Sequence, residues 1–316
     1  MTSKTAGPRL AGLFVPLITP FRPDGAVDAG ALEALACRVL DDGADGLVAL
    51  GTTAETATLS SAERQQVLQI CDGVCRDRAA RLIAGTGSND TAESAAGLRA
   101  LARWPAVDAA LTVVPYYTRP GERGVLAHFA ALAAASPVPL VIYHVPQRTG
   151  QQVSARLMLE LAALPGVAGV KYAAGGIDSE AVALLGSTPP GFAVLAGEDV
   201  VAAGMLALGA AGAILASAHV RTSSYAALVR AWLAGDAQTA RPLGHRLAAL
   251  SDALFAEPNP AVIKAVLHAS GLIATPAVRL PLLPACQQST AAALALAGGR
   301  EQELAKPGEL SPVPPG

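Results

Sequence analysis

From Gly12 onward, short apolar runs alternate with longer stretches of helical periodicity. The runs occupy 13–19, 46–50, 81–85, 110–114, 140–144, 168–172, 192–196 and 212–216. Each is continuous rather than alternating, as in a parallel strand covered on both faces, and their spacing suits a strand plus a returning helix. Asp28 precedes Leu32, Leu35, Ala36, Val39 and Leu40, an apolar stripe at helical spacing that stops before Gly43. Ser60 with Glu63, and Asp90 with Glu93, have capping-box spacing, in which side chains satisfy the first orphan amides of a helix. Eight such units close most simply as an α/β fold, a (β/α)8 TIM barrel expected over 1–222.

After Ser217 the strand signal stops. Helical periodicity over 223–233, 236–255, 259–270 and 285–297 predicts a helical extension spanning 223–305. The third of these helices is announced by Glu257-Pro258-Asn259-Pro260, a cap followed by proline at the first helical position. The segment 306–316, rich in proline and polar residues, is expected to be a mobile tail.

Composition narrows the function classes. No apolar run approaches the roughly 18 residues of a membrane span, and prolines at 8, 16 and 20 interrupt the N-terminal stretch, so a soluble cytoplasmic protein is expected. A net charge of −2 without basic clusters argues against nucleic-acid binding. Cys37, Cys71, Cys75 and Cys286 form no CxxC pair and are expected to be small buried hydrophobes in a reducing compartment. The histidines are scattered, so no metal site is indicated, and none of the motifs calls for a cofactor. Gly85-Thr86-Gly87 lacks the third glycine of a dinucleotide fingerprint, since Asp90 stands there.

Lysine occurs only at 4, 171, 264 and 306, and of these only Lys171 falls inside a strand-like apolar run, 167–172. A buried amine loses hydration and deprotonates more readily, the condition for attack on a carbonyl. Lys171 is therefore either a strand-end lysine that snorkels or pairs with a carboxylate, or a Schiff-base nucleophile. In a barrel of this class chemistry collects at the C-terminal strand ends. Gly51-Thr52-Thr53 is either a strand-to-helix turn or a donor of hydroxyls and amides to a small carboxylate. Tyr116, Tyr117 and Tyr143 are either rim aromatics or, beside an amine, proton carriers. Arg148 is either a surface ion-pair partner or a planar fork for a substrate carboxylate.

Taken together, Gly51-Thr52-Thr53-Ala54-Glu55, Pro115-Tyr116-Tyr117-Thr118-Arg119-Pro120, Tyr143-His144-Val145-Pro146-Gln147-Arg148-Thr149-Gly150, Gly169-Val170-Lys171 and Glu257-Pro258-Asn259-Pro260 resemble the dihydrodipicolinate synthase / N-acetylneuraminate lyase family. The resemblance runs from Gly12 to about Pro284, with the motifs in the family's order. It implies a class I, lysine-dependent pyruvate aldolase. On it, Lys171 forms the imine, Tyr143 donates and accepts protons, and Thr52 and Tyr117 complete a hydroxyl relay. Thr53 holds the pyruvate carboxylate, and Ile214 and Gly197 line the site. Arg148 binds the carboxylate of the second substrate, and Tyr117 crosses a tight dimer interface within a homotetramer.

The Thr52-Thr53 pair and Arg148-Thr149 favour the synthase branch, which condenses pyruvate with L-aspartate 4-semialdehyde in lysine biosynthesis. The alternatives are a related pyruvate aldolase or dehydratase for a 2-keto-3-deoxy sugar acid or hydroxy-oxo acid, and a barrel that binds a keto acid without turnover. Three departures from the family pattern are expected to reshape the pocket: Ala54 for a glycine, His144 for an asparagine and Tyr172 for an acid. Asn89, Glu93 and Tyr116 match positions that bind inhibitory lysine in some synthases, whereas Ser61 and Arg64 replace histidines. Weak or absent lysine inhibition is expected.

Overall fold

The computed structural model describes residues 10–298. The anticipated tail at 306–316, with Lys4 and Lys306, lies outside them. Eight parallel strands close in sequential order, β1 pairing with both β2 and β8. They are β1 Gly12–Pro16, β2 Gly46–Ala49, β3 Arg81–Thr86, β4 Val107–Val113, β5 Leu140–His144, β6 Val167–Tyr172, β7 Ala193–Ala196 and β8 Gly212–Ile214. The surrounding helices are α1 Ala29–Asp41, α2 Ser61–Arg78, α3 Thr91–Ala100, α4 Gly121–Ala135, α5 Pro146–Thr149, α6 Ala155–Ala162, α7 Ser179–Ser187 and α8 Ala202–Ala207. There follow α9 Thr222–Leu233, α10 Ala237–Leu254, α11 Ala261–Ala269 and α12 Gln287–Ala297.

The continuous apolar runs have two destinations, because successive side chains on a strand point to opposite faces. Phe14, Val48, Ile83, Leu111, Val141, Leu195 and Ile214 fill the barrel interior together with Tyr143. Their strand neighbours, such as Leu13, Leu47, Leu82, Ile142 and Val170, pack outward against the helices. The seam between β1 and β8 closes at Gly12 and Gly212, which are register partners. A Cβ at 212 would lie only 2.3 Å from the Gly12 carbonyl oxygen, so the seam admits no side chain there.

The helix starts follow their caps. Asp28 accepts from the Ala31 amide, and Ser60 with Glu63 forms the full capping box of α2. Asp90 caps α3 through the Ala92 amide instead of forming the expected reciprocal pair with Glu93. The fourth helix of the extension begins at Cys286, whose Sγ accepts from the Ser289 amide at 3.4 Å. This corrects the uniform expectation for the cysteines: Cys71 and Cys75 are buried, whereas Cys286 is exposed and caps a helix.

Candidate active site

Tyr143 and Lys171 are register partners on β5 and β6, both directed to the barrel axis at its C-terminal end. The Lys171 Nζ lies 4.3 Å from the centre of the Tyr143 ring. Lys171 is 7% exposed, and no carboxylate or hydrogen-bond acceptor holds its amine among the described residues. Gly197, at the end of β7, makes room for the lysine stem. A Cβ there would lie 2.7 Å from Lys171 Cγ and 3.0 Å from Cε, so any side chain would displace the amine. Ile214 completes the apolar wall within the same interior cluster as Tyr143.

The loop after β2 carries Thr52 and Thr53 on a single 3₁₀ turn, Thr52–Ala54. Leu50 and Glu55 on either side both have φ +55°, an unfavourable conformation for residues with a Cβ, of order 1–3 kcal/mol each. Such a turn persists only when its surroundings hold it. Thr19 Oγ1 donates to the Ala54 carbonyl at 2.8 Å, and Thr56 Oγ1 donates to the Gly51 carbonyl at 2.9 Å. From the C-terminal extension, Asn259 Nδ2 donates to Thr53 Oγ1 at 2.8 Å. Lys264 Nζ donates to Glu55 Oε1, and the Arg279 amide donates to Glu55 Oε2 at 2.7 Å.

Above this floor lies a cleft of about 970 Å³ lined by Thr52, Val113, Tyr116, Tyr143, Arg148 and Asn259, among others. Arg148 is exposed on the short helix α5 after β5, with no ion-pair partner for its guanidinium among the described residues. Lys171, Thr53, Gly197 and Ile214 are not in the cleft lining. Tyr117 also lies outside it, 87% exposed, with φ +67° and only its amide engaged, to the Thr149 carbonyl at 3.3 Å. The expected residues thus fall into three places: an amine and phenol on the barrel axis, hydroxyls and an arginine around the cleft, and one tyrosine on the outer surface.

Asp199, Asn259 and Lys264 form part of this surround but were not expected to be site residues. Asp199 accepts from the Ser217 amide at 2.6 Å, and burial pushes its carboxyl up to about 6, against the opposing pull of that amide and of Lys171. Its place in Gly197-Glu198-Asp199 after β7 was the available signal. For Asn259 the signal was the Glu257-Pro258-Asn259-Pro260 motif; Lys264, inside an apolar helix, offered none.

Two of the three departures do not shape the pocket. His144 and Tyr172 follow Tyr143 and Lys171 by one residue, so the pleat turns them to the helix layer. There they meet each other, ring centres 5.2 Å apart, and the Tyr172 hydroxyl donates to Asp178 Oδ1 at 2.8 Å. Burial and that carboxylate both push the Tyr172 phenol up. Ala54 is buried in the turn itself.

Among the described residues, no cluster of three or more His, Cys, Asp or Glu could hold a metal ion, and no helix is long and apolar enough to cross a membrane. Fold and site together define a (β/α)8 barrel with a buried amine at the C-terminal mouth, backed by a phenol that also lines a cleft carrying the Thr52 hydroxyl. The model of the dihydrodipicolinate synthetase family matches residues 9–297, and the chain belongs to that family. It is 41% identical over 272 residues to a 4-hydroxy-tetrahydrodipicolinate synthase of Moorella thermoacetica, covering 86% of this chain and 92% of the relative. The chloride-inhibited dihydrodipicolinate synthase of Acinetobacter baumannii, solved with pyruvate, superposes with a TM-score of 0.87 at 37% identity, covering 92% of this chain and 99% of that one. The enzyme of Cyanidioschyzon merolae, solved with lysine bound, gives 0.85 at 31% identity, covering 91% and 98%.

Proposed function

We propose that this chain is a class I pyruvate aldolase of the 4-hydroxy-tetrahydrodipicolinate synthase type, condensing pyruvate with L-aspartate 4-semialdehyde at the entry to lysine biosynthesis. The observation that carries the reading is the buried Lys171 amine, tied to no carboxylate and set over the Tyr143 ring at 4.3 Å.

The Lys171 amine attacks C2 of pyruvate, and the carbinolamine loses water to give the imine. Tyr143 supplies and removes the protons of these steps, with Thr52 and Tyr117 relaying them to solvent. Thr53 donates to the pyruvate carboxylate. Loss of a methyl proton gives the enamine, whose C3 attacks the aldehyde while the aldehyde oxygen takes a proton. The amino group of the second substrate then attacks C2 and closes the ring, and Lys171 leaves as the free amine. Arg148, exposed beside the cleft, suits the carboxylate of that second substrate. Gly197 and Ile214 keep the amine in place from the apolar side.

The exposed, backbone-strained Tyr117 is consistent with a relay completed in a second subunit, within a cytoplasmic homotetramer built from tight dimers. The barrel, 1–222, then carries the chemistry, and the extension, 223–305, braces its β2 loop. Purified protein given pyruvate and a panel of aldehydes tests the reading: aspartate semialdehyde should be consumed in preference to sugar-derived aldehydes. Consumption of a sugar-derived aldehyde alone would point to the keto-deoxy-sugar-acid branch. Borohydride added with pyruvate should leave a reduced adduct on Lys171, and its absence would remove imine chemistry from either branch.

A further inference from the structure

We infer that Asn259 is a positioning residue: it fixes the polarity of the Thr53 hydroxyl so that Thr53 acts as a hydrogen-bond donor to the keto-acid carboxylate. The inference rests on the assignment of Thr53 to that carboxylate. Asn259 Nδ2 lies 2.8 Å from Thr53 Oγ1, a contact between residues 206 positions apart, and the two are 8% and 4% exposed. A hydroxyl carries one hydrogen and two lone pairs. Once the amide N–H occupies a lone pair, the hydrogen of Thr53 has no partner within the protein among the described residues, and it is free for an anion. The opposite amide orientation would have the opposite consequence, because Asn259 Oδ1 would then consume that hydrogen. A site for an anion needs donors, and that requirement selects the N–H toward Thr53, an orientation that leaves the buried Asn259 Oδ1 without a hydrogen-bond partner among the described residues.

The contact is held in register by the surrounding ion network. Lys264 on α11 and Glu55 in the loop form an ion pair at 2.5 Å with side chains 0% and 1% exposed. Lys264 also donates to the Ala277 carbonyl at 2.8 Å, and Arg279 Nη1 donates to the Thr58 carbonyl at 2.8 Å. The α11 segment and the loop that carries Thr52 and Thr53 are therefore tied to each other through Glu55 as well as through Asn259. A general brace would raise stability alone. A polarity setter changes how the bound carboxylate is read, and it does so only through Thr53.

Asn259→Asp separates these roles. The change is nearly isosteric, but an ionised carboxylate only accepts, so it draws the Thr53 hydrogen away from the substrate. The pyruvate concentration for half-maximal borohydride trapping on Lys171, and the KM for pyruvate, should rise about tenfold or more. At saturating pyruvate kcat should change less than about threefold, the pattern of lost ground-state binding. Asn259→Ala, which only releases Thr53, should give a smaller rise. In a Thr53→Val background, Asn259→Asp should add nothing further. Wild-type pyruvate dependence in Asn259→Asp would overturn the inference. So would a penalty that persists in Thr53→Val, since that would mark direct repulsion or direct contact with substrate. If Asn259→Asp does not fold, the same additivity criterion is read from Asn259→Ala with Thr53→Val. Wild-type protein that traps no pyruvate at any concentration would sink the aldolase reading itself, and the inference with it.

Discussion

Lys171 and Lys264 are both buried, 7% and 0% exposed, yet their surroundings differ in kind. The Lys264 ammonium is saturated: Glu55 and the Ala277 carbonyl take two of its hydrogens, and the Phe21 ring centre lies 4.0 Å away. Burial pulls it down to about 8 while Glu55 pulls the other way, so it stays a cation near neutrality. Lys171 has the Tyr143 face, and among the described residues no carboxylate pairs with its amine directly, Asp199 acting on it only through its charge. Burial alone therefore does not make a nucleophile. The distinction lies in whether the amine's hydrogens are already committed, and only the strand-end lysine keeps them free beside a cleft.

Replacing the two lysines breaks the comparison most directly. Lys171→Ala should lower turnover by about a thousandfold or more, the scale of removing a covalent nucleophile, with an unchanged melting temperature within a degree or two. The check is steady-state rate alongside thermal unfolding; near-normal turnover would refute the assignment. Tyr143→Phe comes next. It keeps the ring under the amine but removes the proton carrier, so turnover should fall by about 10²–10⁴-fold. Borohydride trapping should still occur, slowly.

Lys264→Met should act on stability instead of chemistry. Leaving Glu55 charged and unpaired in the interior costs about 3–5 kcal/mol, measured by denaturant unfolding. Pairing it with Glu55→Gln should recover much of the loss, because the cost comes from the orphaned charge. A Lys264→Met protein as stable as wild type would show the pair to be incidental.

How far these features were legible in the sequence follows from the range of the interactions. Tyr143 and Lys171 were legible because each lies next to the C-terminal end of an apolar run, and a barrel gathers strand ends. Lys264 was not, because an apolar helix says nothing of a carboxylate 209 residues earlier in the chain. Strand β4 starts at Val107, earlier than its apolar run, because Asp108 within it faces the start of β3 and accepts from the Leu82 amide at 3.1 Å. Strand β1 ends at Pro16, short of the expected 19, although Leu17 still donates to Val48, so the boundary is soft. His144 and Tyr172 were expected to shape the pocket because they adjoin site residues in sequence. On a strand, adjacency means the opposite face.

Two buried histidines, His144 in that outward-facing layer and His219 in the turn after β8, give a smaller, pH-dependent effect. Burial holds His144 and His219 neutral in the folded chain, each lowered to about 4. In the unfolded chain they protonate near 6.5. The unfolded state thus binds more protons between about 6.5 and 4, and stability is lost as pH falls through that window. Asp199, raised to about 6 by burial, has the opposite sign and regains some stability as pH falls from 6 toward its ordinary 3.8. The two histidines outweigh the one carboxyl, so the net change is a loss. Unfolding free energy measured from pH 7 to pH 4 should fall, with a shallower slope in His144→Asn.

The smallest expected effect concerns free lysine. Asn89, Glu93, Tyr116 and Arg64 all border the cleft, so acidic and amide groups that could hold an ammonium are present. Arg64, exposed at the start of α2, places a fixed positive charge among them. Lysine carries net positive charge at neutral pH, and a like charge lining the same cleft opposes it even in a solvated site. Millimolar lysine should therefore leave turnover nearly unchanged, and Arg64→His should allow more inhibition than the wild type shows. Strong inhibition of the wild-type protein at that concentration would mean that Arg64 turns away from the cleft, and that the carboxyl and amide groups alone decide what binds there.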